Sequence, residues 1–373
     1  MRATRAIIHL DNLKRNIRLI RERVGEKRLI CAPVKADAYG HGAVPVAKAC
    51  LEAGVSCLAV ATVDEGAELR VAGIDAPILL LSLPMPDEYE ALISHGLTPF
   101  VGDKACIAAL EHAAAALRAR VAVHLKVDTG MGRIGCPPED AAELAGYADS
   151  CPHIRLEGIA THLAVSDSQK PEHIRYTKEQ LRRFVHAVDA VKRAGVNTGV
   201  IHAAASGGVL LHEDSWFDMV RPGVMLYGYP PNPALAGLLP LEPVMELVSH
   251  IVYIKRVKKG ESVSYGRTWI APCDTTIATI PIGYGDGLNR LLSNNHVVLI
   301  NGTSHPVVGR ICMDQCMVDL GQDAAPQQFE KVILFGTKPA LSAMDMAERL
   351  GTIPYEITCA INKRVPRVYE SSK

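Results

Sequence analysis

Long apolar runs are what this 373-residue sequence most clearly lacks. No stretch approaches the roughly 20 residues that a membrane-spanning helix requires. The first residues, MRATRAIIHLDNLKRNIRLI, are broken by charges every few positions and contain no apolar signal core. A soluble, cytoplasmic protein with no membrane partner is therefore expected. An excess of charge is also missing, because Lys plus Arg and Asp plus Glu both number 40. Non-specific nucleic-acid binding draws on surplus basic residues, so no nucleic-acid partner is expected either. Ten cysteines are present but scattered. The closest pair, Cys312 and Cys316 in CMDQC, has no second pair to complete a zinc site. Reduced, mostly buried thiols and no metal are the expectation.

What the sequence does have is apolar residues in quantity, 48% of the chain, enough for a large core. Its length suits two domains. Over the first two-thirds, short β-rich runs alternate with helical patterns. Leu13, Ile17, Ile20 and Val24 follow helical spacing after Asp11, read as an N-cap. RLICAPVKA then reads as a strand and VPVAKACLEA as a helix ending at Gly54. The rhythm continues through CLAVAT, PILLLS, LTPFV, RVAVHLKVDTG, IRLEGIATHL, VIHAAASGG and DMVRPGVMLYG, with a helical pattern after most of them. Continuous apolar strands are expected when helices cover both faces of a parallel sheet. About eight such units fit a (β/α)8 TIM-type barrel, whose usual span is about 250 residues. Periodicity leaves a doubly wound open sheet as the alternative.

Near residue 230 the texture changes. YPPNPALAGLLPLEPV reads as a linker, and the short β-type runs beyond it predict a C-terminal mostly-β domain in which only MDMAERLG looks helical. The predicted boundaries are 10–232 for the barrel and 233–373 for the β domain, with residues 1–9 joining the latter.

In a barrel, function belongs to the C-terminal ends of the strands. Those ends offer Lys35, Arg133, His162, Ser206 and Arg221. A lysine leaving an apolar strand is partly desolvated, which lowers its pKa and suits a Schiff base with a carbonyl cofactor. SGG and RPGV supply a hydroxyl and glycine amides that fit a phosphate. Gly130, Gly132 and Gly135 form GxGxxG, but Pro137 and Pro138 keep any helix from opening directly on it, as dinucleotide binding requires.

VKADAYGHG resembles the cofactor-lysine motif of the alanine racemase family. KVDTGMGRIG, THLA, RPGVMLYG, VSYGRTW, PIGYGDG, VGRICMDQ and PYEI follow in the family's order, from Asp11 to about Arg367. The resemblance implies a barrel that binds pyridoxal 5'-phosphate (PLP) plus a β domain, the interconversion of L- and D-alanine for peptidoglycan synthesis, and a homodimer with shared active sites. It makes Lys35 the cofactor-carrying lysine. Tyr39, Ser206, the backbone of Gly223 and Val224, and Tyr355 would hold the phosphate. Arg221 would meet the pyridine nitrogen, with His202 behind it, and His162 would lie against the ring. Arg133 would bind the cofactor's phenolic oxygen and, helped by the Met313 amide, the substrate carboxylate. Tyr265 would be the second base, arriving from the partner subunit. Tyr284 and Asp314 resemble pocket and entryway residues. Lys126 would be carbamylated and orient Arg133.

Two departures from the family pattern stand out. Ala205 in HAAAS replaces an asparagine, and Pro33 replaces a β-branched residue. Racemisation needs a base on each face of Cα. A phenol of ordinary pKa, about 10, is a poor base near neutrality. A cationic network from His162, Arg221 and His202 is expected to favour its phenolate. An arginine on the pyridine nitrogen donates without giving up its proton, which weakens the ring as an electron sink and favours racemisation over transamination. The alternatives are a broad-specificity or serine racemase of the same fold, or a non-catalytic PLP-binding carrier, which would resemble the barrel alone.

Overall fold

The computed structural model describes residues 2–322 and 327–371. Met1 and the parts of the expected β domain at 323–326 and 372–373 lie outside the described residues. The first strand, β1 (Arg5–His9), runs straight into a helix over Leu10–Val24. That helix buries Leu13, Ile17, Ile20 and Val24, as their spacing predicts. It starts two residues earlier than expected. His9 occupies the cap position and Asp11 lies in the first turn, where its charge complements the helix dipole.

Eight parallel strands follow: β2 (Leu29–Pro33), β3 (Cys57–Val60), β4 (Ile78–Leu80), β5 (Thr98–Val101), β6 (Val121–Lys126), β7 (Ile154–Ala160), β8 (Val200–His202) and β9 (Met219–Val220). They close into a barrel in sequence order, with β9 pairing back onto β2. This is the (β/α)8 barrel expected, and closure removes the open-sheet alternative. Helices pack outside. The longest, Pro171–Arg193, buries Leu181, Phe184, Val188 and Val191 on one stripe. Burying one such side chain stabilises the fold by about 1.5–3 kcal/mol. The helix Val63–Val71 starts on a capping box in which the Thr62 hydroxyl accepts from the Glu65 amide at 3.2 Å.

The C-terminal region is mostly β. It comprises β10 (Met245–His250), β11 (Tyr253–Val257), β12 (Ser262–Val263), β13 (Trp269–Ile270), β14 (Thr275–Ile280), β15 (Val297–Ile300), β16 (Thr303–Pro306), β17 (Cys316–Gly321), β18 (Lys331–Phe335) and β19 (Arg367–Glu370). The larger sheet has the order β16-β15-β18-β10-β1-β19, so β1 lies antiparallel to β10 and parallel to β19. A three-stranded sheet, β11-β14-β17, carries the loops discussed below. MDMAERL lies in the helix Ala343–Leu350, with Gly351 as its C-cap, and a second helix over Pro354–Cys359 was not anticipated. Six residues are too few to show helical periodicity, although Pro354 at the first position is a recognised start. All ten cysteines are free and only Cys359 is exposed. Among the described residues no helix is long and apolar enough to cross a membrane.

Candidate active site

At the C-terminal mouth of the barrel a cavity of about 600 Å³ opens between the strand ends and the β domain. Strand β2 ends at Pro33, whose carbonyl accepts from the Tyr227 hydroxyl at 2.8 Å. Lys35, two residues on, lines the cavity. Burial, and then the charge of Arg133, lower the pKa of its amine. A turn of left-handed helix follows, because Ala36, Asp37, Ala38 and Tyr39 all have φ between 52° and 55°. That conformation costs roughly 1–2 kcal/mol per residue. Several bonds offset the strain. The Ala36 amide donates to Glu65 at 2.6 Å, the Ala43 amide to Asp37 at 2.7 Å, and Arg367 to the Gly40 carbonyl at 3.0 Å. The turn delivers Tyr39, buried and packed on Tyr227 with ring centroids 4.7 Å apart, into the cavity wall.

Opposite stands a cradle of hydroxyls and bare backbone. The Ser206 hydroxyl accepts from the Gly223 amide at 3.0 Å. A Cβ on Gly223 would fall 3.0 Å from the Tyr39 hydroxyl, and one on Gly207 would fall 2.7 Å from the Asp167 amide. Val224 is buried beside Gly223 in the same turn. Tyr355 reaches the cavity from the β domain of the same chain, its ring 5.7 Å from that of Tyr39.

Arg221 is buried, and desolvation lowers its pKa to about 10, so it stays cationic at neutral pH. Among the described residues no carboxylate meets it. Its N–H groups go to His202 Nδ1 at 2.5 Å, the Thr161 carbonyl at 2.9 Å and the Ala203 carbonyl at 3.1 Å. His162 lines the cavity, and burial together with Arg221 lowers its pKa to about 3. The same causes drive His202 well below its usual value. Both imidazoles are therefore neutral near pH 7. The cationic network expected from three residues reduces to Arg221, because burial disfavours the charged imidazoles. Lys126 is buried, and desolvation followed by Arg221 lowers its pKa to about 7. Arg133 is exposed at the rim and lines the cavity.

The other β-domain candidates lie elsewhere. Tyr265 is 71% exposed, in a short turn that follows Ser264 at φ 67°. Met313 and Tyr284 are exposed as well, and their loops are tied by the Gly285 amide donating to the Met313 carbonyl at 2.9 Å. Asp314 pairs with Arg364 at 2.5 Å, and Arg364 with the buried Asp286 at 2.8 Å. None of Tyr265, Tyr284, Met313 or Asp314 lines the cavity of its own chain.

The GxGxxG segment binds its own carboxylate. The Gly130 and Gly132 amides both donate to Asp128, at 2.9 and 3.1 Å, so they are not free for a phosphate. Sequence reasoning passed over His124, Thr161 and Tyr227, which hold the site from behind. His124 was accessible to it, standing two residues before Lys126 on one strand and hence on a shared face.

A family model described as the alanine racemase N-terminal domain matches residues 8–231, and one for the alanine racemase C-terminal domain matches 244–369. An alanine racemase of Treponema denticola is 50% identical over 99% of this chain and 98% of its own length. That of Treponema pallidum subsp. pallidum is 45% identical over 99% and 100%. A solved alanine racemase of Clostridium difficile 630 superposes with a TM-score of 0.94 at 39% identity, covering 99% of this chain and 96% of that one.

Proposed function

The chain belongs to the alanine racemase family, and on that premise we propose that Lys35 carries PLP and acts with Tyr265 of a second copy as the two bases that interconvert L- and D-alanine. The observation that carries the reading is the convergence of Lys35, Tyr39, Ser206, Arg221 and Tyr355 on one cavity. The residues fit the cofactor. Three hydroxyls and two glycines whose Cβ positions are already filled make a phosphate cradle, and an amine of lowered pKa awaits a carbonyl. Once bound, PLP withdraws electrons from the substrate's Cα and makes its proton acidic.

The chain's own groups do the rest. The Tyr39, Ser206 and Tyr355 hydroxyls and the Gly223 and Val224 backbone hold the phosphate. Arg221 donates to the ring nitrogen and keeps its proton. His162, neutral, lies against the ring. At the rim Arg133 clamps the substrate carboxylate with paired hydrogen bonds, aided by the Met313 amide of the second copy. Lys35 Nζ takes or returns the α-proton on one face and Tyr265 Oη on the other. Tyr284 and Asp314 narrow the entrance. The exposure of Tyr265, Tyr284 and Met313 supports a homodimer in which each copy completes the other's site. The D-alanine formed would serve peptidoglycan synthesis in the cytoplasm.

Lys126 fits carbamylation. Only a neutral amine adds carbon dioxide, and burial lowers its pKa to about 7. A carbamate there would face Arg221 and Arg133, the two guanidinium charges acting on Lys126. Crystal density showing a plain ammonium under ambient carbon dioxide would contradict it.

A chirality-resolved assay with PLP and both enantiomers of alanine, serine and lysine tests the function. Alanine should racemise in both directions and faster than the other two. No interconversion of alanine, or faster turnover of serine, would contradict the reading.

A further inference from the structure

Among the described residues, Arg221 is a buried cation oriented by neutral acceptors alone. Two of these acceptors are backbone carbonyls, which cannot change what they offer. The third, His202 Nδ1, belongs to a ring that presents a lone pair in one tautomer and an N–H in the other. In the wrong tautomer a donor would face a donor at 2.5 Å in the protein interior. Something must therefore hold His202 as the Nε2–H tautomer.

His124 is placed to do so. Its Nδ1 lies 2.8 Å from His202 Nε2, and both rings are buried. An arginine only donates, so the direction of the chain is forced. Arg221 donates to His202 Nδ1, His202 Nε2–H donates to His124 Nδ1, and His124 carries its own proton on Nε2. The barrel wall makes room for this contact. His124 on β6 and His202 on β8 meet across β7, which presents Gly158 and Ala160 between them. A Cβ on Gly158 would fall 2.6 Å from the His124 ring. Phe100 on β5 stacks against His202 with centroids 6.2 Å apart and limits its tilt.

We infer that His124 is a positioning residue: by accepting from His202 Nε2–H it fixes the His202 tautomer and thereby holds the Arg221 guanidinium toward the cofactor ring nitrogen. The inference rests on the proposed role of Arg221 at that nitrogen.

His124→Leu removes the acceptor, whereas His124→Asn keeps an amide oxygen near the Nδ1 position. The full-length protein, labelled with 15N-histidine, is compared with and without PLP. His202 should read as one Nε2–H tautomer in the parent and in His124→Asn, and as a mixture in His124→Leu. In the loaded enzyme His124→Leu should lower kcat roughly tenfold with KM within about twofold, and His124→Asn should restore most of it. Gly158→Ala, which displaces the ring without removing it, should mimic His124→Leu. Combining the two should add little, since both break the same contact. An unchanged His202 tautomer in His124→Leu overturns the inference. So do equal losses of kcat in the Leu and Asn variants. The Arg221 reading is tested separately, because an Arg221→Lys variant with an unmoved PLP absorption band would overturn that reading whatever His202 does.

Discussion

The barrel and the β domain hold their candidate residues in opposite ways. In the barrel, Lys126, His202, Ser206 and Arg221 are buried, and each has a hydrogen-bond partner within the chain. In the β domain, Tyr265 and Met313 are 71% and 52% exposed and do not line the cavity of their own chain. Two residues are exceptions: Tyr355, a β-domain residue that joins the barrel's cradle, and Arg133, a barrel residue exposed at the rim. On the proposed roles, the contrast teaches that one chain would finish the cofactor-holding half of the site and leave the second base outside it. Exposed aromatic and methionine side chains beside an unfinished cavity are what an interface between copies would cover.

The largest expected effects sharpen this division of labour. Lys35→Ala should abolish racemisation in both directions, a loss of roughly 10⁴-fold or more, because it removes both the proposed cofactor anchor and one of the two proposed bases. Tyr265→Ala should slow α-proton exchange about 10²–10⁴-fold for one enantiomer and far less for the other. Single-turnover exchange in D₂O reads each enantiomer alone, and equal losses would erase the distinction between the two bases. Next in size is the cradle. Gly223→Ala puts a Cβ 3.0 Å from the Tyr39 hydroxyl and should weaken PLP binding roughly tenfold in an absorbance titration. Undiminished affinity would mean that the phosphate sits elsewhere.

The smallest effect is on acid stability. Burial lowers the pKa of His41 and His124 to about 4 and of His162 to about 3, all in the barrel. The β domain has one comparable group, His296, also lowered to about 4. Each lowered histidine stays neutral when folded but takes up a proton near pH 6.5 when unfolded. Stability is therefore fully present above about pH 6.5 and falls as the pH drops toward 4. Hydrogen exchange between pH 7 and 4 should show the barrel strands losing protection first. Uniform loss across both regions would break the comparison.

The barrel was legible because short continuous apolar runs such as Val121–Lys126 alternate with helical stripes such as that of Pro171–Arg193. Less visible was what depends on backbone conformation or distant partners. The left-handed turn over Ala36–Tyr39 has no glycine to announce it, and RLICAPVKA read as a longer strand than forms. The helix Pro354–Cys359 is too short to show a period. Motif order pointed to Lys35 and Arg221, but periodicity has no means of pairing β6 with β8 through a glycine on β7. The charge states of His162 and His202 were misjudged for a similar reason. Depth of burial, which sets them, belongs to the fold and not to the motif.

Mixing two inactive variants, Lys35→Ala and Tyr265→Ala, under conditions of subunit exchange tests the shared site most directly. If each site takes its lysine from one copy and its tyrosine from the other, a mixed dimer holds one site with both bases and one with neither. Random pairing makes half the dimers mixed, so roughly a quarter of the parent activity should return. If Tyr265 instead serves its own chain, every site lacks one base. The mixture would then stay inactive even with exchange independently verified, and the shared site would be contradicted.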